Sequence, residues 1–240
     1  MGDMAMQIPE VLTNEQMDNA ALLLSNYYTE PQPGKSRLRS GAWFDGWAGG
    51  GDASNVVNTM TADDLLAASF LSVRFSPKAA IGILEERRED VTELLSQIPA
   101  DLDLADLSHD NFKSVLGEES PAWQLWDLLR GKDLTSGKKG WGIGPTKASK
   151  LLARKRPRLI PIWDSVVKKE TQLKNSLTQW SEWHDALTQD SCTLARHLEE
   201  VQRRAGLPHP ISNLRAMDVV LWMHGTGGMV QPPTGEDEAA

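Results

Sequence analysis

Segments with the 3.6-residue periodicity of an amphipathic helix follow one another along most of the chain, and none alternates as a half-buried strand does. Thr13 can cap a first helix that runs to about Tyr28. Thr61-Ala62-Asp63-Asp64 resembles a capping box and predicts a buried helix over about 62–74. Further helices are predicted at about 77–97, 110–116, from Pro121 onward, 145–156, 164–175, 177–188, 191–205 and 212–224. We therefore predict an all-α fold.

Residues 30–60 interrupt the helical pattern. This stretch is rich in glycine and proline and contains the pair Trp43 and Trp47, which is typical of a long loop. We accordingly divide the chain into three parts. These are an N-terminal helix with a Gly- and Trp-rich loop (1–60), a helical domain (61–224) and a disordered acidic tail (225–240).

The charges of the chain are segregated. It has 33 acidic and 25 basic residues, and this net charge of −8 argues against a nucleic-acid partner if it is spread evenly. Residues 134–163, however, contain no Asp or Glu and hold eight of the basic residues. A solvated charged surface and a nucleic-acid-binding surface both fit this segregation, and the neighbouring motif described next favours the second.

The motif is Gly142-Ile143-Gly144-Pro145, in which two glycines flank an apolar residue directly before a proline suited to the first turn of a helix. Backbone N–H groups at a helix N-terminus lack intrahelical partners and lie at the positive end of the helix dipole. A phosphate can therefore be held there without an intervening side chain. We expect Ile143 to fix the turn to the core.

The predicted helix after this turn has two different faces. Lys147, Lys150 and Arg154 recur at the spacing of one face, which we expect to be exposed, and an aliphatic face lies opposite. Turn and helix together predict a surface that binds a nucleic-acid backbone. Its predicted members are Gly142, Ile143, Gly144, Thr146, Lys147, Lys150 and Arg154.

These residues resemble the helix-hairpin-helix DNA glycosylases, whose turn reads apolar-Pro-Gly-apolar-Gly, three variable residues and Ala. Gly142, Ile143, Gly144 and Ala148 match that turn, and IPIWDSVV at 160–167 is similar to the segment that bears the family's catalytic aspartate. Asp164 follows Gly144 by 20 residues, the family's usual interval. The run LLARKRPRLIPIWD is also similar to that of an uncharacterised bacterial family.

The resemblance implies a helix-hairpin-helix glycosylase-like fold of two helical lobes, with the Gly-rich N-terminal loop in addition. It further implies Asp164 as the catalytic carboxylate, double-stranded DNA as the partner, and a monomer associated with the nucleoid. Arg74, in the stretch 65–80 that is similar to the family's duplex-penetrating segment, is then a candidate wedge into the base stack. A monovalent cation at the hairpin is compatible with the resemblance, and no catalytic cofactor is expected.

The chain departs from the family pattern at several positions. Gly140-Trp141 replaces the Leu-Pro before the first hairpin glycine. Thr146 stands where strand-cleaving members carry a nucleophilic lysine, so we expect base removal without strand cleavage. Cys192 is the single cysteine, which excludes an iron–sulfur cluster, an internal disulfide and a cysteine-based zinc site.

Asp164 is a suitable group for hydrolysis of an N-glycosidic bond, because a carboxylate beside the sugar stabilises the positive charge that develops there. Asp164 is equally suited to cap the helix that follows it, and the two roles are compatible. A target base has to leave the stack and be held against an apolar or aromatic surface. Trp163, Trp43 and Trp47 are candidates for that surface, and packing in the core is the alternative role of each.

The remaining residue types are less informative. Five scattered histidines (His109, His184, His197, His209 and His224) show no paired ligand spacing, so we expect no metal site. No apolar run approaches the roughly 18 to 20 residues that span a bilayer, and the N-terminus lacks the features of a signal peptide. We therefore expect a cytoplasmic protein without a membrane partner.

The functional hypothesis from the sequence is a monofunctional DNA glycosylase that flips a damaged or modified base and hydrolyses its N-glycosidic bond. Such an enzyme could act in base excision repair or on modified foreign DNA. A non-catalytic helix-hairpin-helix DNA-binding protein is the main alternative. An α-helical interaction scaffold, suggested by the acidic balance and the nine tryptophans, is the third.

Overall fold

A computed structural model describes residues 6–132 and 140–228 of the chain. Within these residues the secondary structure consists of helices and turns without strands, which confirms the all-α prediction. The α-helices are α1 (Met17–Thr29), α2 (Ala62–Ser69), α3 (Pro77–Ile81), α4 (Arg88–Gln97), α5 (His109–Leu116), α6 (Pro121–Arg130), α7 (Pro145–Lys155), α8 (Ser165–Thr171), α9 (Gln179–Ala205) and α10 (Asn213–Thr226). None of the helices in the described part combines the length and apolar character needed to cross a membrane.

Several helices begin at the residues that the sequence indicates. The Thr61 hydroxyl accepts from the backbone N–H of Asp64, whose carboxylate accepts from the Thr61 N–H, so the predicted capping box is confirmed. Ser120 caps α6 and Pro121 occupies its first turn, as predicted. Ser212 caps α10. Thr13 does not cap α1, because its hydroxyl donates to the Glu10 carbonyl and a 3-10 turn at Asn14–Gln16 precedes the helix.

Other boundaries differ from the predictions. The helix predicted over 77–97 is divided into α3 and α4 by a π-helical segment at Gly82–Glu86. Helix α2 ends at Ser69 rather than near 74, and Ser72 adopts a left-handed conformation with φ 63° in the turn that follows. The two helices predicted at 177–188 and 191–205, by contrast, are confirmed as the two parts of α9, which a break with non-helical backbone at residues 189–192 separates.

Residues of the N-terminal part share one hydrophobic core with the rest of the described chain. Helix α1 packs against α9 and α10, and α10 also packs against α8. Between α1 and α2 there is no further α-helix, but two 3-10 turns form at Ser40–Trp43 and Trp47–Gly49. Helix α10 continues to Thr226, beyond the predicted start of the acidic tail at 225, and the tail from 229 onward lies outside the described residues.

Helix α7 is the central helix for the candidate site. It packs against α2 on one side and α6 on another, and all of its residues from Thr146 to Lys155 are buried. Leu151 and Leu152 lie in the core as expected. In the turn before this helix Ile143 is buried and Gly142 is exposed, and Asp164, after the helix, is partly exposed.

Candidate functional site

The hairpin turn at Gly142-Ile143-Gly144 has the backbone that its sequence predicts. Gly142 is exposed and adopts φ +69°, a left-handed conformation that favours glycine, with open space where a Cβ would be. Ile143 is buried and fixes the turn to the core, as expected. Gly144 is the N-cap of α7 and Pro145 occupies the first turn. The N-terminus of α7 therefore starts directly behind an exposed glycine.

The basic residues of α7 do not form an exposed face, so that prediction is wrong. Lys147, Lys150 and Arg154 are 9%, 5% and 3% exposed, and Thr146 is also buried. Periodicity distinguishes two faces of a helix but does not reveal what covers each of them. Here three other segments accept hydrogen bonds from the polar face through backbone carbonyl oxygens: Gly142 accepts from Lys147, Leu71 accepts from Lys150, and residues 44–47 accept from Arg154.

Arg154 is the clearest example of this arrangement. Its guanidinium donates hydrogen bonds to the carbonyl oxygens of Phe44, Asp45 and Trp47, and it pairs with the Asp64 carboxylate at 3.3 Å. A Cβ on Gly51 would lie 2.4 Å from the Arg154 carbonyl oxygen, so only glycine permits this close approach. The glycine-rich loop is therefore built around Arg154.

Two further cations at the end of α7 anchor the same loop. Lys155 donates to the Val56 carbonyl oxygen at 2.7 Å and pairs with Asp64 at 3.3 Å. Arg156 donates to the Val57 carbonyl oxygen at 2.8 Å and to the Asn58 side chain. Burial lowers the pKa of Lys155 and lowers the pKa of Arg156 to about 10. Both cations therefore stabilise contacts within the chain and do not face solvent.

Two lysine ammonium groups donate hydrogen bonds to carbonyl oxygens in and just before the hairpin turn. Lys147 donates to the Gly142 carbonyl oxygen at 3.0 Å, and Lys78 donates to the Gly140 carbonyl oxygen at 3.2 Å. Lys147 therefore lies against the inner side of the turn. Lys138 and Lys139, the other basic residues before the turn, fall outside the described residues.

Asp164 is the N-cap of α8, one of the two roles expected for it. One carboxylate oxygen accepts hydrogen bonds from the backbone N–H groups of Val166 and Val167, both at 3.0 Å. The other oxygen lies 3.6 Å from the Lys150 ammonium group. The carboxylate is thus held by two amides and faces a cation from the hairpin helix.

The segment before Asp164 is fixed to α7. The Trp163 N–H donates to the Ser149 hydroxyl at 2.9 Å, and this hydroxyl lies 3.1 Å from the Trp163 carbonyl oxygen. Lys150 also donates to the Leu71 carbonyl oxygen at 2.9 Å. Lys150 therefore connects three segments, namely the hairpin helix, the Asp164 segment and the turn after α2. Arg74, the candidate wedge, is exposed three residues beyond Leu71.

A buried ionic network beside Asp164 was not predicted from the sequence. Arg215 donates to the Asp45 carboxylate at 3.0 Å and to the Tyr27 hydroxyl at 3.2 Å, and it pairs with Asp218. Burial raises the pKa of Asp218 to about 6, with the nearby Asp164 carboxylate adding to the rise and Arg215 opposing it. The available signal was an Arg and an Asp three residues apart in the otherwise apolar run of α10.

The three tryptophans proposed for base stacking have different surroundings. Trp163 is buried, against the expectation that it offers a face to a flipped base, because Ser149 and the core enclose its segment. Trp47 donates to Asp63 at 3.0 Å and packs edge-on against Phe70, so its role here is packing. Trp43 remains 58% exposed. Trp47 is partly exposed, and Trp43 is the most exposed of the three.

A cavity of about 520 Å³ lies between the N-terminal loop, the end of α7 and the start of α10. Asp45, Arg154, Arg158 and Glu199 contribute polar groups to its walls. Asp164 is not among the lining residues, although Asp45 connects the cavity to the Arg215 network. The cavity therefore does not supply a space in which Asp164 could meet a substrate.

Two histidines that appear unrelated in the sequence lie together in the structure. The rings of His109 and His184 are 4.6 Å apart between centroids, and Asp185 lies beside both. From the sequence we expect no metal site, because the histidines show no paired ligand spacing, and the sequence does not indicate that these two meet. The spacing of ligands along one helix cannot reveal a site formed by two helices.

Comparison with known proteins gives one match. No curated protein and no solved structure matches the chain. A family of unknown function (DUF6308) matches residues 20–225, which include every helix from α2 to α9, the hairpin and Asp164. The chain therefore belongs to this family of unknown function.

Proposed function

We propose that the protein is a monofunctional DNA glycosylase in which Asp164 is the catalytic carboxylate. The observation that carries the proposal is the position of Lys150, which links the Asp164 carboxylate to the Leu71 carbonyl oxygen. The hairpin helix, the candidate carboxylate and the turn that leads to Arg74 thus meet at one point. These are the three features that the resemblance to the glycosylases assigns to one active site.

The surroundings of Asp164 suit a charge-stabilising role. Two backbone N–H groups and an ammonium group stabilise its negative charge and fix its orientation. When the bond between the base and C1′ breaks, the bonding electron pair leaves with the base and C1′ becomes positively charged. The carboxylate stabilises that charge, a water molecule adds to C1′ and loses a proton, and the products are the free base and an abasic site.

The backbone of DNA has to be held by groups other than the buried cations of α7. We propose that the exposed Gly142 turn and the N-terminus of α7 contact one phosphate. Exposed cations near Asp164 are suited to neighbouring phosphates: Arg74 follows the turn that contacts Lys150, and Lys168 and Lys169 lie in α8. The resemblance allows a monovalent cation at the hairpin. There the Lys147 ammonium group, which donates to the Gly142 carbonyl oxygen, already supplies a positive charge.

Base removal without strand cleavage remains part of the proposal. The position of the family's nucleophilic lysine is occupied by Thr146, whose hydroxyl cannot form a Schiff base. Borohydride treatment during the reaction should consequently trap no covalent adduct between protein and DNA. A trapped adduct would overturn this part of the proposal and leave the role of Asp164 to be tested separately.

The direct test is a set of DNA duplexes that each carry one deaminated, oxidised or alkylated base. After incubation with the full chain, alkali converts abasic sites into strand breaks. We expect breaks with at least one duplex and a loss of activity on the order of 100-fold or more in Asp164→Asn. Asparagine can still cap α8, so the fold should be retained. The control Asp103→Asn alters an exposed ion pair and should remain active.

One observation favours the alternative of a non-catalytic DNA-binding protein. Both carboxylate oxygens of Asp164 already have partners within the chain, which a purely structural N-cap would also show. The alternative predicts salt-sensitive DNA binding, no base release from any duplex, and equal binding by wild type and Asp164→Asn. That combination would refute the glycosylase proposal and leave DNA binding in place.

A further inference from the structure

Two histidines and a carboxylate from two helices meet at one place on the protein. His109 is the first residue of α5, and His184 and Asp185 are consecutive residues of α9. Nε2 of His109 lies 3.4 Å from an Asp185 carboxylate oxygen, and Nδ1 of His184 lies 3.7 Å from the same oxygen. All three candidate ligand atoms lie within 4.8 Å of one another.

We propose that His109, His184 and Asp185 form a binding site for a divalent transition metal, with Zn²⁺ as the best match. Two ligands that are about 2.1 Å from a tetrahedral Zn²⁺ ion are separated from each other by about 3.4 Å. The two separations that involve Asp185 are close to this value. Two imidazoles and one carboxylate are also a ligand set that zinc accepts, with the fourth position left to water.

The hydrogen bonding of His184 prepares it to act as a ligand. Its Nε2 lies 2.6 Å from the Leu107 carbonyl oxygen, which can only accept, so Nε2 carries the proton. In the neutral ring the lone pair is then on Nδ1, the atom that faces Asp185. Metal-binding histidines are commonly oriented by a second hydrogen bond of this kind.

Packing fixes His184 while leaving its two partners able to adjust. The His184 ring is buried between the rings of His109 and Phe112, with centroid distances of 4.6 and 4.8 Å. His109 and Asp185 are at least half exposed, so small rotations can bring both onto a metal held by His184. The site would then connect α5 to α9.

An ordinary ion pair between a protonated His109 and Asp185 is the competing explanation. An ion pair explains the short distance between His109 and the Asp185 carboxylate. It does not explain why the lone pair on Nδ1 of His184 faces the same carboxylate oxygen. The two explanations differ in their response to added metal. Neither depends on Asp164, so the metal site stands or falls separately from the proposed glycosylase activity.

The test is a calorimetric titration of Zn²⁺ into the full chain after removal of metal with a chelator. We expect one Zn²⁺ per chain. His109→Ala and Asp185→Asn change exposed side chains and should keep the fold. Each should weaken binding by about tenfold or more, because each removes one of three ligands.

The matched control is His224→Ala. His224 is also a half-exposed histidine next to a carboxylate, with its Nδ1 2.7 Å from Glu170, but it lies outside the cluster. This variant should bind Zn²⁺ as the wild type does. Zn²⁺ should also raise the melting temperature of the wild type and the control, since it binds only the folded form, and should raise that of the two ligand variants less at the same Zn²⁺ concentration.

Three results would overturn the proposal. The first is the absence of Zn²⁺ binding by the wild type. The second is binding that His109→Ala and Asp185→Asn leave unchanged, and the third is an equal loss of affinity in His224→Ala. The last two would assign the binding to surface histidines in general.

Discussion

At the residue scale, Arg154 joins helix α7 to the N-terminal loop. Three backbone carbonyl groups and the Asp64 carboxylate surround its guanidinium, and the ion pair with Asp64 is almost completely buried. Removing the guanidinium leaves three carbonyl groups without their donor and leaves the buried Asp64 carboxylate with Lys155 as its cation partner. Arg154 therefore holds the loop in place, and the loop in turn covers this end of α7.

Arg154→Met should therefore lower the free energy of unfolding by about 3–5 kcal/mol. Denaturation in urea measures this change. The control is Arg158→Met, which removes an exposed ion pair with Asp103 and should cost less than about 1 kcal/mol. Equal stability of the two variants would contradict the assignment of Arg154 as the anchor of the loop.

Asp218 gives the protein a specific pH dependence. Its pKa of about 6 in the folded protein is higher than its ordinary value of 3.8, chiefly because of burial, so folding favours the protonated form. The resulting stabilisation is fully present below about pH 3.8 and is lost as the pH rises through about 6.

The comparison of wild type with Asp218→Asn isolates this effect. Between about pH 3.8 and pH 6, the unfolding free energy of the wild type should fall relative to that of the variant by up to about 3 kcal/mol. Urea denaturation of both proteins at a series of pH values measures the difference. A difference that stays constant over this interval would show that Asp218 ionises normally in the folded protein.

At the scale of elements, helix positions were predictable where local chemistry sets them. Thr61, Ser120 and Ser212 cap helices through their own side chains, and these contacts span only three residues. The turn at Gly142 follows from a glycine pair and a proline in the same way. Prediction was wrong where local signals compete, as at Thr13, whose hydroxyl bonds backward instead of forward.

The exposure of α7 could not be predicted, because it depends on distant parts of the chain. The basic spacing of the helix is the same whether solvent or a loop covers that face. Its C-terminal end is covered by the segment 44–58, about a hundred residues away, whose carbonyl oxygens accept from Arg154, Lys155 and Arg156. Lys150, one turn earlier, donates to the Leu71 carbonyl oxygen. The network of Arg215 and Asp218 escaped prediction for the same reason.

The hairpin turn itself allows a prediction about strain. Gly142→Ala places a Cβ in open space but forces alanine into a left-handed conformation, which should cost about 1–2 kcal/mol of stability. Gly46→Ala is the matched control, since its Cβ also meets open space and its φ of −94° suits any residue. Urea denaturation should show a loss for the first variant and little change for the second. A neutral Gly142→Ala would mean that the turn does not require this backbone.

At the scale of the whole molecule, the distribution of charge differs from the impression that composition gives. Five cations in and directly after α7 are buried: Lys147, Lys150, Arg154, Lys155 and Arg156. Because they are buried, these five cations place no positive charge on the surface of a chain whose net charge is −8. The proposed binding to DNA therefore has to depend on a local group of exposed cations and on backbone N–H groups.

Lys168 and Lys169 are exposed in α8, directly after Asp164, and test that conclusion. The double variant Lys168→Ala/Lys169→Ala should weaken binding to any duplex and reduce the slope of log affinity against log salt by about 2. Fluorescence anisotropy at several salt concentrations measures both. Lys113→Ala, an exposed lysine of α5, should leave the slope unchanged. An unchanged slope in the double variant would move the DNA-binding surface elsewhere.

As proposed above, Asp164 stabilises the transition state of base release. The most direct measurement is the single-turnover rate at which wild type and Asp164→Asn release the base from a duplex that the wild type cleaves, together with the affinity of each for that duplex. We expect the variant to release the base about 100-fold or more slowly than the wild type, at nearly unchanged DNA affinity. Equal rates for the two proteins would contradict it.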